Sequence, residues 1–331
     1  MIYIRLKIAI FHINCLMLKL EYIMKCNNII RSLVEGILPD RLWLSLRYYM
    51  TFDKFLNWHN PKSLTEKMQW LKIYDRRPEY TIMVDKVKAK KWVSERIGDK
   101  YIIPILGVWE KAEDVDFDLL PDRFVIKCNH NSGTGMYICK DKSKMDKDFV
   151  IQELKKGLRE NYYKKWREWP YKNVPRRIFA EKYMEDSISN SADGLSENVL
   201  TDYKFFCFNG EPFMMYKSKD YSEHTYTDFF DMNYQRLPIR MKDPNSNEPA
   251  VKPIEFEEMK FLARKLSQGV PFLRVDFYII DHQVYFGELT FFHNAGFGPI
   301  NPPEWNLKLG EMLNLENLKG KHSKNTYSKV F

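Results

Sequence analysis

The stretch FLRVDFYIIDHQVYFGELT, residues 272–290, carries Arg274, Asp276, Glu288 and Thr290 within two runs that alternate as β-strands do. Side chains two apart on a strand point the same way, so Arg274 shares a face with Asp276, and Glu288 shares one with Thr290. The two runs read as strands joined by a tight turn. Carboxylates inside such apolar runs need partners. Those partners are either Arg274 and nearby lysines, or a divalent metal of the kind that takes a few carboxylates plus substrate phosphates. The chemistry this unit suggests is a metal–phosphate site.

Other segments hold groups that suit phosphate. NHNSGTG, residues 129–135, follows Lys127. A glycine-bearing loop lets backbone N–H groups approach phosphate oxygens, and a lysine at a strand end adds a point charge. The plain alternative is a hairpin loop, and the GxxxxGK[ST] pattern of a P-loop is absent. Lys86 stands near a helix start, where surface charge is the ordinary role. Lys204 and Asp202 share a strand face in TDYKFF, where an exposed ion pair worth little is the ordinary reading.

These groups must be positioned by strands and helices. PKSLTEKMQWLKIYD, residues 61–75, predicts a helix: Ser63 and Glu66 have capping-box spacing, and Leu64, Met68 and Leu71 fall on one face. A second helix is expected from Asp85 to Ile97, stopped by Gly98. YIIPILGVW (101–109) reads as extended. FVIKC (124–128) and MYICK (136–140) read as paired strands. One long helix is expected between Asp148 and Trp166, then a buried strand RIFAEKYM (177–184) and a polar loop (186–197). Asn209-Gly210 predicts a hairpin between LTDYKFFCF and PFMMYKS, because both residues tolerate positive φ. TYTDFFDMNYQ is a further strand or strand-turn. EEMKFLARKLSQG is a helix ending at Gly269. Helices interspersed with hairpin-type strands argue for an α+β fold built of subdomains.

The 331 residues suffice for one large domain or two to three subdomains with a substantial core. The net charge of +8 favours anionic partners. It is spread along the chain, which points to a basic surface around a phosphate site rather than to nucleic acid. The five cysteines show no CxxC or Cys/His metal spacing. A reducing cytoplasm fits them, with Cys128 and Cys139 as small core residues. Residues 2–23 are apolar but interrupted by Arg5, Lys7, Lys19 and Glu21, and the uncharged run from Ile8 to Leu18 is too short to span a bilayer. A packed or poorly ordered extension is the plain reading. A basic amphipathic helix lying on a membrane is the alternative, and Met17 and Met24 are alternative starts.

Taken in order, Lys86 in VDK, FVIKCNHNSGTG, AEKYM, DYK, RVD and GELT resemble the ATP-grasp superfamily. The stretch from about Asn60 to Leu313, with LTEKMQWLKIYD, DYKFFCFNGEP and GFGPINPPEWNLKLGE, is similar to the TupA-like ATP-grasp family, linked to teichuronopeptide and other surface-polysaccharide biosynthesis. The resemblance implies an ATP-grasp fold of two α+β subdomains clamping ATP. It divides the chain into an N-terminal helical extension (1–59), a helical lead-in (60–115), a small subdomain (116–185), a large subdomain carrying the metal site (186–313) and a C-terminal tail (314–331).

It also implies roles. Lys86, Lys127 and Lys204 would contact ATP phosphates, and Asn131, Ser132, Gly133, Thr134 and Gly135 would form the flap over them. Glu181, Lys182, Tyr183 and Met184 would form the adenine hinge, with Glu185 or Asp186 reading the ribose. Asp276 and Glu288 would hold Mg²⁺. Thr290 stands where relatives often carry asparagine as a further ligand. Arg274, with Lys127, would act on the transferred phosphoryl group, and His293 and Asn294 are candidates to touch substrate.

The implied reaction is Mg-ATP-dependent joining of a carboxylate to an amine through an acyl phosphate. The chain would act in the cytoplasm or at the inner face of the membrane, on a polysaccharide precursor and without nucleic acid. The alternatives are three. A glycosyltransferase would use the overlapping DxD triplets of DVDFD (114–118). A sugar kinase would use the same clamp. A nucleotide-binding scaffold would carry out no reaction.

Overall fold

The computed structural model describes residues 36–186, 200–220, 225–247, 249, 251–316 and 318. The expected N-terminal extension before residue 36, Cys15 and Cys26, the polar loop 187–197 and nearly all of the C-terminal tail lie outside them.

The described residues form eight α-helices and two antiparallel sheets. Helices α1 (Asp40–Phe52), α2 (Leu64–Tyr74), α3 (Pro78–Val84) and α4 (Lys88–Ile97) come first. The small sheet follows, with β1 (Ile105–Trp109), β2 (Phe124–Cys128), β3 (Met136–Cys139) and β4 (Ile178–Lys182) in the order β1-β4-β2-β3. Helices α5 (Lys147–Arg159) and α6 (Tyr162–Trp166) lie between β3 and β4. The large sheet has β5 (Asp202–Phe208), β6 (Glu211–Asp220), β7 (Thr225–Asp231), β8 (Phe272–Ile280) and β9 (Gln283–Thr290) in the order β7-β6-β5-β8-β9. Helix α7 (Phe256–Ser267) crosses from β7 to β8, and α8 (Glu304–Met312) closes the described chain.

Local chemistry sets most of these bounds. At α2 the Ser63 hydroxyl accepts from the Glu66 N–H, and the Glu66 carboxylate accepts from the Ser63 N–H at 3.0 Å. Loss of such a cap costs roughly 1 kcal/mol. Asn209 and Gly210 both have positive φ (51° and 88°), which closes the β5–β6 hairpin. Gly98 (φ 105°) ends α4.

Two expectations were too coarse. The segment expected as one helix from Asp148 to Trp166 is two, because Glu160 is extended and the Asn161 side chain caps a new helix by accepting from the Lys164 N–H at 2.9 Å. The helix expected from Asp85 starts at Lys88, and Pro78 opens a separate helix before it, a position where its missing N–H costs nothing.

The larger core unites the five-stranded sheet with α7 and with α2, α3 and α4. A smaller core lies under the four-stranded sheet, where Phe124, Ile126, Cys128, Ile178 and Ala180 meet Val150 and Leu154 of α5. Alternation therefore sends Lys127 of β2, and Phe179 and Glu181 of β4, to the opposite face. Cys139 is buried in the same core, and Cys207 in the larger sheet. β1 precedes residue 116 in sequence yet is an edge strand of the small sheet.

Candidate active site

The β8–β9 hairpin turns through Asp281 and His282, both at positive φ (49° and 61°). Its register is not regular. Val275 pairs with Leu289, but Phe277 pairs with Phe286, so Asp276 faces both Gly287 and Glu288. This is a β-bulge, which bends the strand and re-aims its side chains. A Cβ on Gly287 would meet the Asp276 carbonyl at 3.1 Å, so the narrow residue belongs there.

The bulge gathers a charge cluster. Arg274 donates to both Asp276 carboxylate oxygens, Nε to Oδ1 at 2.7 Å and Nη2 to Oδ2 at 2.6 Å, and Nη2 also reaches Glu288 Oε1 at 2.8 Å. Lys204 lies opposite Asp276 across the β5–β8 ladder, with Nζ 3.0 Å from Asp276 Oδ2 and 3.0 Å from Asp202 Oδ1. Lys86 approaches Glu288 Oε2 at 3.5 Å, and the Thr290 hydroxyl donates to Glu288 Oε1 at 3.3 Å. Burial alone would raise the Glu288 carboxyl, yet Lys86, Arg274 and Lys204 hold it well below the usual range. His293 Nδ1 accepts from Arg274 at 2.9 Å, and burial plus the two cations keep its imidazole neutral.

A second cluster stands on the small sheet. Lys127 and Lys90 both pair with Glu181, Lys90 at 2.9 Å, and Lys90 also donates to the Ile103 carbonyl at 2.7 Å. Burial would raise Glu181, and the two lysines outweigh it. Glu181 and Lys182 are the last two residues of β4. The Lys182 N–H donates to the Pro104 carbonyl at 3.0 Å, so of the expected hinge only Tyr183 and Met184 lie past the strand. Arg123 covers the Tyr183 ring at 4.4 Å and pairs with Glu185.

In the glycine loop, Ser132 borders the main cleft, and Gly133 and Gly135 have positive φ (88° and 70°) with Thr134 half-buried between them. The Asn131 side chain points away, donating to the Gly157 carbonyl at 3.3 Å and to Glu160 Oε2 at 3.1 Å. It holds the loop and does not present its amide to a ligand.

A cleft of about 800 Å³ opens beside the hairpin, bordered by Arg274, Glu288, Thr290, Ser132 and Glu168. Its lip is a turn in which Asn294 and Ala295 have positive φ (49° and 52°), an unfavourable backbone for residues with a Cβ. Lys72 fastens this turn by donating to the Ala295 carbonyl at 2.7 Å, and Gln69 by donating to Gly296 at 2.8 Å.

Sequence reasoning passed over Lys72, Lys90 and Glu168. Lys90 sits in a run of lysines, and Lys72 lies in an amphipathic helix, so only their tertiary partners mark them. A glycine within a strand, Gly287, was the available sign of the bulge.

Hard oxygen donors from Asp276, Glu288 and Thr290 suit magnesium. Both carboxylates bond the same guanidinium nitrogen, Nη2 of Arg274, so they converge on one point, and their oxygens are of the kind that magnesium takes. Among the described residues no group of three or more His, Cys, Asp or Glu is placed to hold a metal ion. The DVDFD acids face solvent while Val115 and Phe117 between them enter the small core, and Asp118 pairs with Lys147 at 3.0 Å.

A family model described as TupA-like ATPgrasp matches residues 66–314. The chain belongs to the TupA-like ATP-grasp family. No curated protein matches it. Among solved structures, D-alanine–D-alanine ligase from Bacillus anthracis is similar at 19% identity and TM-score 0.43, over 73% of this chain and 69% of that one. The Helicobacter pylori D-alanine–D-alanine ligase aligns at 12% identity and TM-score 0.41, over 76% and 69%. An N5-carboxyaminoimidazole synthase from Aspergillus clavatus, in complex with ADP and its ribonucleotide, aligns at 13% and 0.36, over 66% and 46%. The charge cluster of this TupA-like chain and both sheets that carry it fall inside the matched span. Among its described residues no helix is long and apolar enough to cross a membrane.

Proposed function

We propose that the protein is an ATP- and magnesium-dependent carboxylate–amine ligase that works through an acyl phosphate and modifies a cell-surface polysaccharide or its precursor. The observation that carries the reading is the cluster Arg274, Asp276, Glu288, Lys204 and Lys86 beside an open cleft, in a chain of an ATP-grasp family. The polysaccharide role is an expectation from the family's name.

Phosphoryl transfer asks a protein for positioning and charge neutralisation more than for covalent help. Lys86 and Lys204 bind the phosphates, with Lys127 from the small sheet. Arg274 orients the phosphoryl group toward the substrate carboxylate and spreads the charge that develops there. The glycine loop from Ser132 to Gly135 closes over the phosphates and excludes water. Asp276 and Glu288, with the Thr290 hydroxyl beside them, would hold magnesium, which supplies further neutralisation of phosphate charge when bound. The carboxylate oxygen attacks the γ-phosphorus and ADP leaves. An amine then attacks the acyl carbon, forming the amide as phosphate departs.

A screen of carboxylates and amines with Mg-ATP, reading ADP release and product mass, tests this. The expected result is ADP release that requires both substrates and yields an amide. Transfer of phosphate to a sugar hydroxyl with no amide would replace the reading by a kinase. Asp276→Asn and Glu288→Gln are each expected to lower turnover on the order of 10²–10³ while the fold persists. Full ATP turnover by either variant would remove the metal assignment.

A further inference from the structure

Glu181 stands between two lysines that come from different parts of the fold. Its Oε1 accepts from Lys127 of β2, and its Oε2 lies 2.9 Å from Lys90 of α4. Lys88 and Lys91 on the same helix are exposed, while Lys90 is turned inward and buried. Its ammonium also donates to the Ile103 carbonyl at 2.7 Å. Burying an ammonium is costly unless it is paired, so an inward lysine where an uncharged donor could tie α4 to Ile103 calls for an explanation.

The charges supply one. One carboxylate faces two ammonium groups, which leaves a surplus of one positive charge, and each ammonium has three donors. Lys90 directs its donors at protein atoms and keeps only 10% of its side chain exposed, against 25% for Lys127. The surplus is therefore presented at Lys127. It also acts across the space between the two sheets: against burial, Lys86, Arg274, Lys204 and then Lys127 lower the Glu288 carboxyl.

The partition depends on Lys90. Glu181 is buried, and an ion pair in such surroundings is stronger than one in water. With Lys90 on one oxygen, the carboxylate divides its charge between two partners. With Lys90 gone, Lys127 would be its sole counter-ion, and any other anion would have to compete for that ammonium.

We infer that Lys90 is a positioning residue for the nucleotide: by holding one oxygen of Glu181 it keeps that carboxylate from claiming Lys127 outright, and so leaves the Lys127 ammonium able to pair with a phosphate of ATP. The inference rests on the assignment of Lys127 to a phosphate in the reading above. Lys90 acts through Glu181 and touches no ligand, whereas Glu181 opposes nucleotide binding while it stabilises the fold.

Calorimetry on the full chain, with magnesium and a non-hydrolysable ATP analogue, tests this beside urea unfolding. Adenosine, followed by displacement, is the control without phosphate. Lys127→Met is expected to weaken the ATP analogue about tenfold or more, because a hydrogen bond between charged groups is lost. Lys90→Met is expected to weaken it comparably and to leave adenosine unchanged. Glu181→Gln is expected to tighten the analogue while lowering the urea midpoint, two shifts of opposite sign that a purely structural role would not produce. The double variant Lys90→Met/Glu181→Gln removes both buried charges at once and is expected to bind the analogue at least as tightly as the wild type. These last two variants carry the test even if Lys90→Met does not fold.

Undiminished affinity in a folded Lys90→Met, a parallel loss of analogue and adenosine, no tightening in Glu181→Gln, or a loss that persists in the double variant overturns the inference and leaves the nucleotide reading standing. Undiminished affinity in Lys127→Met overturns the assignment of Lys127 to a phosphate and the inference with it. No binding of the analogue by the wild type overturns the nucleotide reading as a whole.

Discussion

Arg274 bonds Asp276 through two nitrogens and Glu288 through one of them, a bridging geometry that needs a planar fork. Arg274→Lys keeps the charge and loses the fork. ADP release is expected to fall on the order of 10², and a lower unfolding midpoint in urea should accompany it, since Asp276 would stay buried with weaker pairing. The pairing of Arg274 with Asp276 follows from strand alternation and is legible in the sequence. Glu168 is not legible, because the burial that leaves its Oε1 without a partner is set by elements distant in sequence.

At the scale of elements, the glycine loop depends on α5. A Cβ on Gly157 would lie 2.6 Å from the Gly135 Cα and 2.7 Å from the Cys128 sulfur, so loop and helix touch through two glycines. Gly157→Ala is expected to cost about 1–3 kcal/mol in chemical denaturation and to raise the KM for ATP, because the helix can yield only by displacing the loop. An unchanged KM would separate the loop from nucleotide binding.

Elements with local causes were readable: the Ser63–Glu66 box, the Asn209-Gly210 turn and the β8–β9 hairpin. The break at Glu160–Asn161 was not, and the bulge at Gly287–Glu288 was marked only by its glycine. The hydrophobic pattern runs unbroken past the first, and strict alternation conceals the second. Yet the break aims Trp166 and Glu168 into the cleft, and the bulge sets Glu288 beside Asp276.

At the scale of the molecule, ion pairs set the response to acid. Against burial, the lysines at each cluster hold Glu181 and Glu288 below their ordinary value of 4.5. A carboxyl depressed in the folded state stabilises fully above its unfolded value and loses that stabilisation as pH falls through its folded one. Stability to urea should therefore decline below about pH 4.5. Glu181→Gln should flatten that decline and cost about 3 kcal/mol near neutrality, having left Lys90 buried without its counter-ion.

The two ends of the described fold are tied together. Lys67 of α2 donates to the carbonyls of Gly310 and Leu313 at 2.7 Å, the first 243 residues away, and a Cβ on Gly310 would sit 2.0 Å from the Lys62 carbonyl. During synthesis, α2 leaves the ribosome long before α8 exists to cover it. The helix that anchors the cleft lip through Gln69 and Lys72 must then wait, one flank unclaimed, for almost the whole matched span to emerge. A nascent chain stalled before residue 304 should offer chaperones the α2 surface, and the cleft should acquire its shape only once α8 has emerged.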